Sequence, residues 1–206
     1  MKLLPDTQKI IEKFIQTRVK EAGAKGVVIG LSGGVDSATT LALSVSALGS
    51  DNVKGLILPF IETESVTLAS VHAKSLKIQT QKIDISKVVR TFKDSTDSFS
   101  SQSSEGNLHS RVRMTFLYGE AFNSGSLVMG TSNKSELLVG YYTKWGDGAS
   151  DLLPIGDIYK SQVYLLAEVL GVPKAILERK PTAELWDGLT DEDELGIDYS
   201  TLDQIL

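Results

Sequence analysis

Apolar residues recur on two different periods along this chain, and the alternation between them lays out its architecture. From Asp6 to Ala22 they fall at Ile11, Phe14, Ile15, Val19 and Ala22, a spacing of three and four that marks one face of an amphipathic helix opened by Pro5-Asp6. Val27-Val28-Ile29 is a short, wholly apolar run, as expected of a strand buried on both faces of a parallel sheet. Ser37 to Leu48 reads as a helix with Gly49 as its stop. Val53 to Pro59 predicts a second strand, Glu64 to Leu76 a helix with Val66, Ala69, Ala73 and Leu76 on one face, and Thr80 to Ile85 a third strand. Asn107 to about Asn123 predicts a helix and Ser126 to Gly130 a fourth strand. A second amphipathic helix carries Tyr159, Val163, Leu166, Ala167 and Leu170 and closes at Gly171, with Pro173 beyond. Tyr199 to Leu206 begins a further helix with Leu202, Ile205 and Leu206 on its apolar side, too short to hold without tertiary support.

Three stretches break the pattern. Residues 92–107 are Ser-rich, with serines at 95, 98, 100, 101, 103 and 104, and read as a mobile loop. Tyr141 to Asp157 is a long Gly- and Asp-containing loop, and Glu178 to Gly196 is polar and acidic. Strands alternating with helices imply right-handed crossovers, so the expectation is one α/β domain over 1–206. It should be a doubly wound, Rossmann-like parallel sheet of about five strands with helices on both faces.

Composition narrows this picture. With 206 residues, 41% hydrophobic and 23% charged, the chain has a soluble globular make-up and the length for one sizeable core. A net charge of −5 disfavours a nucleic-acid partner. The start Met-Lys-Leu-Leu-Pro-Asp has no apolar segment of signal-peptide length and no window reaches transmembrane length, so no membrane partner and a cytoplasmic location are expected. There is no cysteine, which excludes disulfides, thiolate metal sites and cysteine nucleophiles.

The chemistry centres on Gly30-Leu31-Ser32-Gly33-Gly34-Val35-Asp36-Ser37, set between the first strand and the helix that follows. Gly33 and Gly34 permit unusual dihedrals and close approach of an anion, and the helix N-terminus offers unpaired N–H groups, so the stretch reads as a phosphate loop. Where the Walker pattern has a lysine before its Ser/Thr, Asp36 stands here, and a carboxylate beside polyphosphate calls for a cation between them, Mg²⁺ by choice. The fourth strand runs into Gly130-Thr131-Ser132-Asn133-Lys134-Ser135-Glu136. In a doubly wound sheet the first and fourth strands are neighbours at the switch point, so Asp36 and Glu136 converge as ligands of one metal. Read alone, Glu136 would be a helix N-terminal carboxylate favoured by the dipole. Lys160, in the first turn of a helix, opposes the macrodipole, which fits better with an anionic phosphate beside it. Arg111 and Arg113 point to different sides of their helix.

The Ser-Gly-Gly-Val-Asp-Ser loop resembles that of the ATP pyrophosphatase superfamily, whose members split ATP between the α and β phosphates to adenylylate a substrate. Further blocks narrow the resemblance. Asn-Leu-His-Ser-Arg-Val-Arg-Met (107–114), Gly-Thr-Ser-Asn-Lys-Ser-Glu (130–136), Tyr-Thr-Lys-Trp-Gly-Asp-Gly (142–148), Asp-Leu-Leu-Pro-Ile (151–155), Tyr-Lys-Ser-Gln-Val (159–163) and Pro-Thr-Ala-Glu-Leu (181–185) together resemble the ammonia-dependent NAD synthetases. That resemblance implies ATP-dependent amidation of deamido-NAD to NAD, the last step of NAD biosynthesis, with ammonia as nitrogen donor and AMP and pyrophosphate released. It implies ATP contacts at Gly30, Leu31, Ser32, Gly33, Gly34, Val35, Asp36, Ser37, Thr131, Lys160 and Thr182, Mg²⁺ ligands at Asp36 and Glu136, and dinucleotide contacts at Arg111, Lys144 and Asp151. Asp36, Glu136 and Lys160 would carry the catalysis, in a homodimer with the dinucleotide site near the subunit contact. Arg113 is left a structural role.

Two other readings share parts of these features. The pyrophosphatase part of GMP synthetase has the same loop, but the Tyr-Thr-Lys-Trp-Gly-Asp block speaks against it. A non-catalytic ATP-binding regulatory module would have no use for two carboxylates facing the phosphates. One departure stands out: the family continues into a segment with an adjacent His-Lys pair that reaches the dinucleotide, whereas this sequence ends at Asp-Gln-Ile-Leu. The site is therefore expected to be more open on that side.

Overall fold

The computed structural model describes residues 2–180 and 190–206. Four parallel strands form the sheet: β1 (Val27–Gly30), β2 (Val53–Ile57), β3 (Gln79–Lys82) and β4 (Leu127–Met129), in the order β3-β2-β1-β4. β1 pairs with β2 from Val27 opposite Val53 and with β4 from Val27 opposite Leu127, so the first and fourth strands are neighbours as the winding rule required. Beyond β4 a fifth strand is reduced to a single parallel bridge between Met129 and Leu152, held by Gly130 N–H to Leu152 O at 2.8 Å. Among the described residues the sheet thus has four strands and a bridge, close to the expected count of about five.

Alternate residues of each strand enter opposite faces. Val27 and Ile29 pack with α1 (Thr7–Glu21), α2 (Val35–Leu48), α3 (Glu64–Ser75), α7 (Lys160–Val169) and α8 (Lys174–Leu177). Val28, Leu56 and Val128 pack with α4 (Ser86–Ser95) and α5 (Gln102–Ser124) on the other side. This is the doubly wound, helix-on-both-faces architecture expected from the alternation. The expected face of α1 is the buried one, with Ile11, Ile15 and Val19 inside.

Two expectations need correction. No helix is expected between Ile85 and Phe92, yet α4 begins at Ser86; Ile85, Val88, Val89 and Phe92 fall at i, i+3, i+4 and i+7, an amphipathic period that a strand expected as far as Ile85 masks. The stretch 92–107, read as a loop, holds the end of α4, a 3-10 turn at Asp97–Phe99 and the first turn of α5 from Gln102. Serine works there as a cap and not as a breaker: the Ser101 hydroxyl accepts from the Ser104 N–H at 3.3 Å and starts α5 five residues earlier than expected. The remaining helices are α6 (Lys134–Val139), α9 (Asp191–Leu195) and α10 (Tyr199–Ile205). Among the described residues no helix is long and apolar enough to cross a membrane.

Candidate active site

The carboxyl ends of β1 and β4 lie side by side, and each opens a helix there. After β1, Gly33 takes φ +84°, and a Cβ on it would lie 2.3 Å from the Ser65 carbonyl oxygen, so both the dihedral and the approach of α3 demand glycine. The loop is braced from within. The Ser32 and Ser37 hydroxyls are 3.1 Å apart, Gly34 N–H donates to Ser32 Oγ at 3.2 Å, and Ser37 Oγ donates to the Gly34 carbonyl at 3.0 Å. Leu31 N–H pairs with Leu56 O at 2.9 Å and ties the loop to the sheet. Gly34 is the N-cap of α2 and no side chain caps that end. Its first-turn N–H groups are therefore directed at whatever anion enters the loop.

After β4, Asn133 starts α6 with a capping box: its Oδ1 accepts from Glu136 N–H at 3.0 Å, and Glu136 Oε2 accepts from Asn133 N–H at 3.1 Å. Asn133 also donates from Nδ2 to Asp36 Oδ1 at 2.9 Å, so one buried amide aligns both carboxylates. Asn133 lies within the quoted 130–136 block yet carried no role in the sequence reading; the Asn-Lys-Ser-Glu capping signature was the available signal. Glu136 is at once the dipole-favoured helix-start carboxylate and a member of the cluster.

Lys160, at the first position of α7, is 2% exposed and brings its ammonium between the two acids, 2.6 Å from Asp36 Oδ2 and 3.3 Å from Glu136 Oε1. The anions that justify a lysine at this helix start are these carboxylates. Burial alone would lower the Lys160 ammonium, but Asp36 and Glu136 outweigh it and hold the group well above the usual lysine range. Burial pushes the Glu136 carboxyl up to about 8 against the pull of Lys160. The side chain of Tyr199, from α10, lays its ring 4.7 Å from the Lys160 ammonium.

With Glu136 pushed up to about 8, the charge of Asp36 is balanced by Lys160 at neutral pH, and a divalent cation beside Glu136 would favour its ionised form. Among the described residues no group of three His, Cys, Asp or Glu side chains could hold a metal. Such a two-carboxylate oxygen set fits Mg²⁺, which takes one or two protein carboxylates and completes its shell with phosphate oxygens and water.

The residues expected at the dinucleotide are exposed, with Arg111 joined to Lys144 and Asp151 to β4. Arg111, exposed on α5, donates from Nε to the Lys144 carbonyl at 3.1 Å. The 142–148 loop is pinned to α5 by Ser110 and Asp147, whose Oγ to Oδ1 bond is 2.6 Å long and is supplemented by Asp147 N–H to Ser110 Oγ at 2.8 Å. Neither Ser110 nor Asp147 was singled out from sequence. Trp145 on this loop is 72% exposed and sits at φ +64°, with the Lys144 ammonium 5.7 Å from its ring. Asp151 is more occupied: Oδ2 accepts from Val128 N–H at 2.7 Å, where it finishes the edge of β4. Arg113 donates from Nε to Leu58 O at 3.0 Å and braces β2, as its structural assignment anticipated. Thr131 directly follows the end of β4, half-buried. Thr182 falls in 181–189, outside the described residues.

Comparison with known proteins agrees with this geometry. The chain is 49% identical to the NH(3)-dependent NAD(+) synthetase of Pyrococcus furiosus, over 97% of its own length and 77% of that protein's. It is also 49% identical to the synthetase of the same name from Archaeoglobus fulgidus, over 97% and 83%. A solved NMN synthetase from Francisella tularensis superposes with a TM-score of 0.94 at 38% identity, covering 99% of this chain and 86% of that one. The NH3-dependent NAD synthetase from Campylobacter jejuni superposes at 0.81 and 36% identity, over 84% and 76%. The family model described as NAD synthase matches residues 7–206, and with relatives this similar over nearly the whole chain, the protein is a member of the NAD synthase family.

Proposed function

We propose that the chain amidates deamido-NAD to NAD with ammonia, at the expense of ATP. The observation that carries this is the meeting of Asp36, Glu136 and Lys160 beside the uncapped start of α2. The polyphosphate of ATP lies against the α2 N–H groups and the loop of Gly30 to Ser37. Asp36 and Glu136 would hold Mg²⁺, which when bound neutralises polyphosphate charge. In the first step a carboxylate oxygen of the nicotinate attacks the α-phosphorus, the bond from that phosphorus to the bridging oxygen breaks, and pyrophosphate leaves. Lys160, held as an ammonium, stabilises the charge that builds on the phosphoryl oxygens. In the second step the nitrogen lone pair of ammonia attacks the acyl carbon, the bond to AMP breaks, and the surplus proton passes to solvent. The absence of cysteine fits ammonia in place of glutamine as donor, since glutamine hydrolysis of this type needs a cysteine nucleophile.

On this reading Arg111 and Lys144 receive the pyrophosphate of the dinucleotide and Asp151 faces its polar groups. The protein works in the cytoplasm as a homodimer. The exposed Tyr118 and Phe122 of α5, the latter 88% exposed, support a partner on that face.

The test is incubation of the chain with ATP, Mg²⁺, ammonium and deamido-NAD. NAD, AMP and pyrophosphate are expected in equal amounts. Unchanged ATP with active Mg²⁺ present would overturn the reading. The likeness to an NMN synthetase favours one second reading, in which the acid substrate is the mononucleotide. Parallel kcat/KM values for nicotinate mononucleotide and deamido-NAD separate the two: the dinucleotide is expected to be preferred.

A further inference from the structure

Beneath the catalytic cluster lies a third acid, buried, on an element far away in sequence. Asp203 of α10 is 1% exposed, and both its carboxylate oxygens are used. Oδ1 accepts from the Ser135 hydroxyl at 2.5 Å and Oδ2 from the Ser161 N–H at 2.7 Å. The same Ser135 oxygen accepts from the Lys160 N–H at 2.9 Å. One carboxylate therefore joins the first turn of α6, which carries Glu136, to the first turn of α7, which carries Lys160. One turn earlier on α10, Tyr199 is 4% exposed and its ring faces the Lys160 ammonium at 4.7 Å. Helix α10 thus grips Lys160 at the backbone and at the tip of the side chain.

The physics of this arrangement is specific. A lysine at a helix N-terminus adds positive charge where the peptide dipoles are already positive, and a buried carboxylate at the same turn offsets both. Asp203 also satisfies a first-turn N–H that has no partner inside α7. Without it, Ser135 and Ser161 lose their common acceptor, and the two helix starts are joined by Lys134 N–H to Ile158 O at 2.8 Å and by Lys160 N–H to a Ser135 hydroxyl that is no longer oriented, a looser hold on the 3.3 Å separation of Lys160 Nζ and Glu136 Oε1. Asp203 itself touches neither Asp36 nor Glu136 in these hydrogen bonds; it acts through its neighbours.

We propose that Asp203 is a positioning residue for adenylylation, tying α6 to α7 through Ser135 and Ser161 so that Lys160 sits between Asp36 and Glu136. This rests on the function proposed above. Its effect is on the rate of the chemical step more than on the binding of ATP, because the α2 end of the phosphate loop is built independently of α10.

The experiment compares wild type, Asp203→Asn, Ser135→Ala and Val89→Ala, the last a remote core truncation in the α4 and α5 layer. Pyrophosphate release at saturating substrates gives kcat, and its ATP dependence gives KM. Mass spectrometry of chains treated with an acylating amine reagent gives the labelling rate of Lys160. Asp203→Asn should lower kcat about tenfold or more, in the range usual for groups that orient ligating side chains, with KM for ATP changed less than about twofold. Lys160 labelling should rise. Ser135→Ala, which keeps the carboxylate, should do the same to a smaller extent and serves if Asp203→Asn does not fold. Val89→Ala should lower the melting temperature while kcat and Lys160 protection stay at wild-type values. The proposal is overturned if kcat in Asp203→Asn or, failing that, Ser135→Ala matches wild type, or if it falls only as in Val89→Ala. Absence of pyrophosphate release in wild type itself would instead count against the proposed function, and Lys160 labelling would still test the positioning.

Discussion

The two halves of the candidate site are built on opposite plans. Asp36, Glu136, Lys160 and Asn133 form a closed set, each bonded to another member, with Lys160 and Asn133 buried. Arg111 on α5 and Lys144 and Trp145 on the 142–148 loop lie exposed, the loop tied to α5 by Ser110 with Asp147 and by Arg111 with the Lys144 carbonyl. On the function proposed above, the difference follows from the task. Phosphoryl chemistry needs charges fixed before the substrate arrives, whereas a dinucleotide can be gripped by side chains that order on binding. It follows that substitutions in the closed half should act on rate, with stability following whatever buried charge they leave uncompensated or remove, and those in the open half on affinity alone.

The largest effect is expected at Lys160. Lys160→Met leaves two carboxylates facing each other without a cation, which should destabilise the fold by about 3–5 kcal/mol. It also removes the ammonium from the reacting phosphoryl group, for a loss of about 10²–10³-fold in pyrophosphate release. Thermal melts and steady-state assays on the same preparation check both. If the melting temperature were unchanged, the cluster would not be closed in the sense argued here.

Glu136→Gln should come next. It keeps the shape and the acceptor for Asn133 N–H but removes the group that would ionise to hold Mg²⁺, so pyrophosphate release should fall about 10²-fold at saturating Mg²⁺ while the melting temperature stays level or rises, the buried acid being gone. A wild-type rate at saturating Mg²⁺ would remove Glu136 from the reaction. On the open half, Lys144→Ala should raise KM for deamido-NAD about tenfold, as for one lost hydrogen bond to a charged group, and leave KM for ATP and the melting curve alone. A matching change in KM for ATP would erase the contrast between the halves.

The smallest effect at neutral pH is expected at His109, on the inward side of the helix that bears Arg111. It is 2% exposed, its ring centroid lies 4.2 Å from that of Phe60, and neither ring nitrogen has a hydrogen-bond partner. Burial foremost, with Arg113 adding to it, lowers His109 to about 4 from an ordinary 6.5. The native state therefore holds a neutral ring that the unfolded chain protonates first. Its stabilising contribution is complete above pH ~6.5 and is lost as pH falls toward about 4, at most about 3 kcal/mol. Denaturant melts of His109→Phe across that window should show a shallower acid slope than wild type, with NAD formation at pH 7.5 unchanged.

How much of this was legible in the sequence depended on whether the signal was local. The phosphate loop, the order of β1 and β4 and the meeting of Asp36 with Glu136 followed from a motif and a topological rule. The short, Ser-rich approach to α5 misled because serine both caps helices and breaks them, and only the Ser101 to Ser104 bond decides which. Lys160 was legible as a lysine suited to a phosphate, whereas the anions beside it are Asp36 and Glu136. Asp203 was not legible at all. It lies 68 residues from Ser135 and 42 from Ser161, on a helix whose visible pattern was its apolar face, and no periodicity encodes such a contact.

The most direct test of the central claim, that the cluster of Asp36, Glu136 and Lys160 adenylylates a carboxylate, is exchange of labelled pyrophosphate into ATP with ammonium excluded. Adenylylation is reversible until ammonia intervenes, so wild type should incorporate label only when deamido-NAD is present, and Asp36→Asn should incorporate about 10²-fold less. Exchange that proceeds without the acid substrate, or at an equal rate in Asp36→Asn, would contradict the account.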